Sequence, residues 1–252
     1  MTYFDFLMDD LVAANRILAR EEVVDGLGHI SVRHPDEPGR YFMSRARAPE
    51  CIERADIMEF DLAGTPISPE GRSPYHERYI HAAIYAARPD VRSVVHSHSH
   101  AVIPFSVTGE RLRPVHHICS GIGACVPVYD PQKRWGDTDI LVTDMVKGNA
   151  LAEDLGKGTS ALLRGHGSVT AGFSIRHAVF LAIHLEMAAR LQLDTLRIGK
   201  PIQYLSDGEI SLISEWMTEE KMGQGIDRMW ERWCKRADVP FVPRQKAPAK
   251  TE

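Results

Sequence analysis

The sequence predicts an α/β protein in which a sheet is sandwiched between helices. Segments with a helical spacing of apolar residues alternate with short strand-like runs, which is the pattern of a sheet covered by helices. The chain has 252 residues and is 44% hydrophobic, enough to form a sizeable core. No internal repeat or low-complexity linker interrupts it before its end. We therefore expect one domain over residues 1–239 and a loose, Pro- and Lys-rich tail over 240–252.

The N-terminal segment, residues 2–20, is predicted to be an amphipathic helix because its apolar side chains recur at helical spacing. Gly26-Leu27-Gly28 then breaks the pattern. Short runs separated by polar or glycine-containing turns predict the strands that follow. These strands are Ile30–Arg33, Tyr41–Ser44, Ile57–Leu62 and Thr65–Ile67.

A second helix is expected to begin at Ser73-Pro74, where a hydroxyl N-cap precedes a proline at the first helical position. It should run to about Ala87 and stop near Pro89. The β-branched residues after Ser93 predict a strand that continues through His100.

The remaining segments continue the alternation of strands and helices up to residue 236. Glycines end one predicted helix, and Ser174 is expected to cap a long one. The predicted strands are Cys125–Tyr129, Ala161–Arg164 and Ser168–Thr170, and the predicted helices are Thr143–Leu155, a long helix after Ser174 and residues 208–236.

Composition and charge exclude several classes of protein. Lys and Arg number 30 against 34 Asp and Glu, and this net charge of −4 argues against nucleic-acid binding driven by bulk charge. No apolar run approaches the length of a membrane span, and the first residues do not resemble a secretory signal. The four cysteines show no C-x-x-C spacing. We therefore expect a cytoplasmic protein with reduced thiols and no membrane partner.

The twelve histidines are the unusual feature of the composition, because neutral imidazole is the commonest metal ligand. His96, His98 and His100 are spaced two apart in a predicted strand and would share one face. Two imidazoles on neighbouring same-face positions can reach one metal ion. An isolated H-x-H pair can also arise by chance, so the pair alone is weak evidence for a metal site.

Three other positions are candidates for chemistry, and each also has a simpler interpretation. His166 lies between two glycines after an apolar strand, so its imidazole has room around it, but it could equally be a solvent-facing turn residue. Glu77 falls in the first turns of the Ser73 helix, where a carboxylate also stabilises the helix dipole. His116-His117 follows Pro114 as a loop pair with little diagnostic value of its own.

Together, these pieces resemble the class II aldolase/adducin family over about residues 5–205. The segments that carry the resemblance appear in the family's order, so the joint match is more specific than any one of them. They are Gly28-His29-Ile30-Ser31-Val32-Arg33, Glu77, Ala87-Arg88-Pro89-Asp90-Val91, Val94-Val95-His96-Ser97-His98 and Leu162-Leu163-Arg164-Gly165-His166-Gly167.

The resemblance implies a three-layer α/β/α sandwich with a central, mostly antiparallel sheet. It also implies that His96, His98 and His166 bind a divalent metal and that Glu77 is the acid/base beside it. A family tyrosine that donates a proton from a neighbouring subunit falls at His117 by spacing, and imidazole can also carry a proton. Members are typically C4 tetramers with active sites between subunits, so we expect a homo-oligomer of this kind or a higher assembly.

Departures from the family pattern point to the substrate. Small phosphate-binding residues of the sugar-phosphate aldolases are replaced here by imidazole, phenol and guanidinium groups, which suit aromatic rings and planar carboxylates. This substitution resembles the family's decarboxylase branch, which acts on hydroxylated aromatic or pyridine dicarboxylates. The expected substrate contacts are His29, Ser44, Arg45, Arg47, Tyr75, His76 and His116.

Several questions stay open at this level. Histidine ligands suit Zn²⁺, but Mn²⁺, Fe²⁺ or Co²⁺ also fits, and a role for His100 is unresolved. A lyase or epimerase acting on a sugar phosphate is the first alternative to a decarboxylase. A non-catalytic, adducin-like binding protein is the second.

Overall fold

The structure is a computed structural model that describes residues 2–245, and an eight-stranded sheet runs through these residues. The strand order is β4-β3-β2-β1-β5-β8-β7-β6, and neighbouring strands are antiparallel except for β6 and β7. This arrangement confirms the mostly antiparallel sheet. The strands are β1 His29–Arg33, β2 Arg40–Ser44, β3 Ile57–Asp61, β4 Pro66–Ile67, β5 Ser93–Ser97, β6 Val128–Tyr129, β7 Ser160–Leu163 and β8 Gly167–Gly172.

Helices pack on both faces of this sheet. They are α1 Tyr3–Arg20, α2 Arg78–Ala87, α3 Ile103–Val107, α4 Pro131–Trp135, α5 Met145–Leu155, α6 Ile175–Arg197, α7 Asp207–Ser214 and α8 Glu219–Arg236. Short 3₁₀ turns cover Pro49–Cys51, Arg54–Asp56, His100–Val102 and His117–Ile122.

Alternation along the strands divides the core between the two faces. In β5, Val94 packs with α2 and α5, whereas the next residue, Val95, packs with α1, α6 and α8. In β1, Ile30 lies on the α1 and α6 side. Successive strand side chains point to opposite faces, so one short strand contributes to both layers. The result is the predicted three-layer α/β/α sandwich.

The central strands set the register of the residues that matter for function. Strand β1 pairs with β5 so that His29 lies opposite His96. On its other side, β5 pairs with β8, and Ser97 lies opposite Ser168. Residues predicted to be functional on β1 and on β5 are therefore direct neighbours across the sheet.

Helix α2 begins later than the Ser73-Pro74 signal predicts, at Arg78, with Glu77 as its N-cap residue. Tertiary contacts hold the preceding residues out of the helix: the Ser73 carbonyl accepts a hydrogen bond from the Ala46 amide (2.8 Å). Glu77 therefore sits just before the helix rather than within its first turns, and its side chain makes no capping hydrogen bond.

Three other predicted elements differ in extent. Strand β5 ends at Ser97, and a 3₁₀ turn begins at His100, so His100 does not share a strand face with His96. The predicted helix over 208–236 is divided into α7 and α8. The predicted strand Cys125–Tyr129 is reduced to β6.

The described part of the expected loose tail, residues 240–245, has no regular secondary structure but is attached to the core. The Val242 carbonyl accepts a hydrogen bond from the buried Arg176 guanidinium (2.7 Å), and Arg244 pairs with Asp227 (3.5 Å). The rest of that tail, 246–252, lies outside the described residues. No helix within 2–245 combines the length and apolar character that a membrane span requires.

Candidate metal centre

Four side chains singled out from the sequence meet beside the end of β5. The Nε2 atoms of His98 and His166 are 3.1 Å apart. Oε2 of Glu77 lies 3.3 Å from Nε2 of His166 and 3.6 Å from Nε2 of His96. All four ligand atoms lie within 4.8 Å of one another. Two distant stretches of chain and the residue before α2 thus converge on one point.

The turn between β7 and β8 places His166 and depends on the glycines at both sides. Gly165 has φ of +62°, in the left-handed region that favours glycine. A Cβ atom on Gly167 would lie 2.0 Å from the carbonyl oxygen of Ser97, so only glycine lets β8 approach β5 this closely. The Gly-His-Gly sequence is therefore required by the backbone that brings His166 to the cluster.

Hydrogen bonds at Nδ1 fix the orientation of two imidazoles. Nδ1 of His96 donates to the Ser168 carbonyl oxygen (3.1 Å), because a carbonyl can only accept. Nδ1 of His98 lies 3.1 Å from both carboxylate oxygens of Asp25. Both rings therefore carry a proton at Nδ1 and turn the Nε2 lone pair towards the cluster.

Glu77 is held by the backbone in front of α5. Its Oε1 accepts a hydrogen bond from the Val142 amide (2.8 Å), which leaves Oε2 facing the imidazoles of His96 and His166. Its side chain is only 12% exposed. Burial raises the pKa of this carboxyl, but the hydrogen bond with the His166 imidazole and the adjacent His96 ring outweigh burial and hold the pKa well below its usual range.

The cluster fits a divalent cation. Nε2 of His96 and Nδ1 of His166 are buried without a hydrogen-bond partner among the described residues. The lone pair on His96 Nε2 instead faces a carboxylate oxygen of Glu77, and two electron-rich groups in contact are unfavourable without a cation. Ligands of a tetrahedral zinc ion are about 3.3 Å apart, given bonds of about 2.0–2.1 Å. Three of the six separations among the four atoms, 3.1, 3.3 and 3.6 Å, match that spacing, and the others are within 4.8 Å.

His29 and Tyr75 line the neighbourhood of the cluster. The ring of His29 lies 4.6 Å from that of Tyr75 and 5.1 Å from that of His96, centroid to centroid. Nδ1 of His29 is 2.7 Å from Nε2 of His81, a buried residue of α2. Burial, with the neighbouring His81 and His96, holds the pKa of His29 well below its usual value, and burial lowers the pKa of His81 to about 3.

The two predicted arginines share one carboxylate. Nε of Arg45 and Nη1 of Arg47 contact the two oxygens of Asp56 at 2.5 and 2.7 Å. Burial raises the pKa of Asp56, but hydrogen bonds from Arg45, the Glu53 amide and Arg47 outweigh it and bring that pKa to about 2. The guanidinium groups are thus oriented in advance and keep further N–H groups free of Asp56.

A chain of contacts connects these arginines to the cluster. The Tyr75 hydroxyl donates to the Arg47 carbonyl oxygen, and the Tyr75 ring packs on His29. Ser44 lies fully buried at the end of β2, and its hydroxyl has no hydrogen-bond partner in the described chain. Besides His29 itself, four predicted substrate contacts therefore lie on the His29 side of the cluster: Ser44, Arg45, Arg47 and Tyr75.

The other predicted residues lie apart from the cluster within one chain. His76 and His117 are exposed, and the ring of His116 lies 4.7 Å from that of His117, centroid to centroid, at a tilt of 46°. His100 is exposed at the start of its 3₁₀ turn. The resemblance assigns His117 to a neighbouring subunit's site, a role that a single chain does not test.

A second group of potential metal ligands consists of His34, Glu37 and Glu59. Its two carboxylates already pair with the side chain of an arginine. The Arg40 guanidinium pairs with Glu37 and with Glu59, both at 3.1 Å. Nδ1 of His34 accepts hydrogen bonds from the amides of Asp36 and Glu37. This group is better explained as an ion-pair network than as a metal site.

Several supporting groups escaped the sequence analysis: Asp25, Asp56 and the Val142 amide. An Asx turn was the available signal for Asp25, since Asp before glycine favours a turn, and its Oδ1 does accept hydrogen bonds from the amides of Leu27 and Gly28. The contacts of Asp56 span 11 and 9 residues and that of the Val142 amide spans 65, so none of them has a local signature.

Comparison with known proteins identifies a family and several relatives. The sequence profile of the family described as Class II Aldolase and Adducin N-terminal domain matches residues 9–193. The chain is 32% identical over 251 residues to the decarboxylase tropJ of Talaromyces stipitatus, covering 90% of this chain and 92% of that protein. It is also 32% identical over 200 residues to a 3,4-dihydroxyphthalate decarboxylase of Terrabacter sp., covering 74% of this chain and 80% of the relative.

A solved structure shares the fold. The L-fuculose 1-phosphate aldolase from Glaciozyma antarctica superposes with a TM-score of 0.74 at 25% sequence identity, covering 93% of this chain and 92% of that one. Relatives of this chain thus include enzymes named for decarboxylation and others named for aldol cleavage.

Proposed function

The chain belongs to the class II aldolase and adducin family, and from that premise we propose that it is a metal-dependent lyase. We propose further that it is a carboxy-lyase acting on a hydroxylated aromatic or pyridine carboxylate or dicarboxylate. The observation that carries this proposal is the convergence of three imidazoles and the Glu77 carboxylate on one point, with the Nε2 lone pairs of His96 and His98 facing inward. A soluble, cytoplasmic homo-oligomer, with the domain over 1–239, is the form that we propose for it.

His96, His98 and His166 would hold one divalent ion, Zn²⁺ or Mn²⁺, with Fe²⁺ or Co²⁺ as other candidates. Such an ion supplies Lewis-acid stabilisation of negative charge on a substrate oxygen. In decarboxylation, the bond between the ring carbon and the carboxylate carbon breaks, and its electron pair stays with the ring. A phenolic oxygen beside that carbon shares the negative charge until a proton is added.

Proton delivery falls to Glu77 or to His117. Oε2 of Glu77 faces the cluster while Oε1 is fixed by the Val142 amide, so this carboxyl is oriented to exchange a proton at one oxygen. His117 would act from a neighbouring subunit. CO₂ leaves as a neutral molecule, and the delivered proton forms the new C–H bond and neutralises the negative charge that stays on the ring.

Binding of the carboxylate that remains on a dicarboxylate is assigned to Arg45 and Arg47. Asp56 holds one side of each guanidinium, and the Tyr75 ring provides a flat apolar surface between the arginines and His29. Arginine pairs with carboxylates in a planar, two-point geometry. This arrangement supports a planar dicarboxylate over a flexible phosphate ester.

Release of CO₂ from a panel of ortho-hydroxy aromatic and pyridine carboxylates tests the proposal. We expect metal-dependent CO₂ release from at least one of them, and a loss of about 10²–10⁴ in kcat for Glu77→Gln. His100→Ala is the matched control, because His100 lies outside the cluster. The proposal fails if none of these compounds is decarboxylated by the metal-loaded enzyme.

Aldol cleavage of a sugar phosphate is the second candidate, favoured by the 25% identity and the shared fold with an L-fuculose 1-phosphate aldolase. An assay with a ketose 1-phosphate decides between the two. Cleavage there, without CO₂ release from the aromatic panel, would replace our proposal with this one.

A further inference from the structure

Four buried polar side chains form a hydrogen-bonded row that begins at His29, beside the candidate metal centre, and continues through His81 and Ser31 to Tyr85. Nδ1 of His29 is 2.7 Å from Nε2 of His81, and Nδ1 of His81 is 2.6 Å from Oγ of Ser31. Oγ of Ser31 is in turn 2.7 Å from the Tyr85 hydroxyl. None of the four residues is more than 2% exposed. Water cannot replace these contacts, so each of the four side chains depends on its neighbours in the row for its hydrogen bonds.

Secondary structure explains why these four residues meet. His29 and Ser31 are two apart in β1 and share a face of the sheet. His81 and Tyr85 are four apart in α2 and lie one above the other on the helix. This face of β1 packs on this stripe of α2. The two-residue spacing in the strand and the four-residue spacing in the helix therefore place the four polar groups in line.

The Tyr85 hydroxyl sets the direction of the hydrogen bonds. Among the described residues, Ser31 Oγ is the acceptor available to this hydroxyl, and a buried hydroxyl that donates to nothing is costly. Tyr85 therefore donates to Ser31, and Ser31 donates its own proton to Nδ1 of His81. His81 is then protonated at Nε2 and donates to Nδ1 of His29. A neutral His29 must carry its proton at Nε2.

His29 lies where that N–H can reach a substrate. It is opposite the metal ligand His96 in the sheet register, and its ring lies between those of Tyr75 and His96. No hydrogen bond to its Nε2 is found within residues 2–245. The ring that carries this N–H thus lies beside the cluster and packs on Tyr75, whose hydroxyl contacts Arg47.

We propose that Tyr85, Ser31 and His81 are positioning residues that fix His29 as a hydrogen-bond donor and so select a substrate oxygen that only accepts. A ring carboxylate or a phenolate has this chemistry. The identity of the substrate rests on the proposed function, whereas the direction of the hydrogen bonds in the row and the tautomer of His29 do not.

Kinetics of two variants test the consequence for binding. Ser31→Ala and Tyr85→Phe each interrupt the chain, and each should raise KM for the hydroxyaryl carboxylate about tenfold, the effect expected for one lost hydrogen bond to a charged group. The fall in kcat should be much smaller and the metal content unchanged. Tyr129→Phe is the matched control, since the Tyr129 hydroxyl is equally buried but has no hydrogen-bond partner in the described chain.

Nitrogen NMR of the holoenzyme, labelled with ¹⁵N-histidine, tests the tautomer without reference to activity. His29→Asn identifies the signals of His29. We expect Nε2 of His29 to be protonated and Nδ1 to be unprotonated in the wild type and in Tyr129→Phe, and a mixture of tautomers in Ser31→Ala.

The outcomes separate the two proposals. Protonation of His29 at Nδ1 would overturn the inference. A wild-type KM together with the wild-type tautomer in both Ser31→Ala and Tyr85→Phe would also overturn it. An enzyme that shows the expected tautomer but releases no CO₂ from any hydroxyaryl carboxylate would overturn the proposed function alone.

Discussion

At the scale of single residues, the position of one proton on each imidazole decides whether the cluster can bind a cation. The Ser168 carbonyl and the Asp25 carboxylate both act on Nδ1, and this leaves the Nε2 lone pairs of His96 and His98 for the centre. Partners of this kind orient metal-binding histidines and raise their basicity. We therefore expect residues outside the cluster to control its affinity for a metal ion.

Asp25→Asn should lower the affinity for the metal. Asparagine has nearly the same shape and can still accept from Nδ1 of His98 through its carbonyl oxygen, but the negative charge is lost. We expect metal affinity to fall by about 10–100-fold, as for other such second partners of metal ligands. Competition with a coloured chelator measures the affinity, and Asp36→Asn, at an exposed carboxylate, is the control. Equal affinities of Asp25→Asn and wild type would contradict the role given to Asp25.

The sequence located the cluster residues but not the contacts that orient them. His96, His98 and His166 could be named from spacing, glycine context and family resemblance, because these signals are local. The Asp25 contact with His98 spans 73 residues and the Asp56 contacts depend on a 3₁₀ turn, so neither had a local pattern to reveal it. His100 was misplaced on the His96 face because pattern alone did not show that β5 ends at Ser97.

At the scale of elements, local signals predicted the existence of helices and strands better than their ends. Ser174 does begin α6 as its N-cap, because its side chain accepts a hydrogen bond from the His177 amide. The equally good Ser73-Pro74 signal failed because the Ser73 carbonyl bonds the Ala46 amide, a tertiary contact. That failure matters for function, since it places Glu77 before α2 and free of the helix.

Helix α6 carries a buried histidine that makes stability depend on pH. Burial lowers the pKa of His177 to about 3, and its ring stacks on Phe173 with centroids 3.7 Å apart. The unfolded chain therefore binds a proton between pH 6.5 and 3 that the folded chain does not bind. The free energy of unfolding must fall as the pH drops through this window.

We expect His177 alone to remove about 2 kcal/mol of stability between pH 7 and pH 5. His177→Asn lacks the titrating ring, so its loss over the same interval should be smaller by about that amount. Urea unfolding of both proteins at the two pH values measures it. Parallel losses in the variant and the wild type would show that His177 does not contribute.

At the scale of the whole molecule, the order of the strands brings the cluster together. Strands β1, β5 and β8 are far apart in sequence but adjacent in the sheet, and the β7–β8 turn lies beside the end of β5. Alternation of helices and strands predicted the layers, whereas the strand order depends on long-range pairing and could be inferred only through the family resemblance.

Truncation of the C-terminal segment tests how far the domain extends. Removal of 240–252 takes away the Val242 carbonyl and leaves a nearly buried N–H of Arg176 without this acceptor. We expect it to lower the free energy of unfolding by about 1–3 kcal/mol more than removal of 246–252 alone. Thermal or urea unfolding of both truncations gives the difference, and equal stabilities would place the end of the domain before residue 240.

Sharing of sites between subunits is a further prediction at this scale. Glu77→Gln and His117→Phe should each be nearly inactive, but co-expressed chains should form mixed oligomers. If Glu77 and His117 of different subunits make one site, random mixing restores about a quarter of the sites. CO₂ release by the mixture should then far exceed that of either parent. Activity no greater than the average of the parents would restrict the site to one chain.

The central claim is that three imidazoles hold one catalytic cation, and metal stoichiometry of the purified protein tests it most directly. We expect one divalent ion per chain in wild type and in His100→Ala, and its loss in His98→Ala and His166→Ala. Removal of the ion by a chelator should abolish CO₂ release, and its return should restore the rate. Wild-type protein that takes up no ion, or a rate that the chelator leaves unchanged, would contradict the claim.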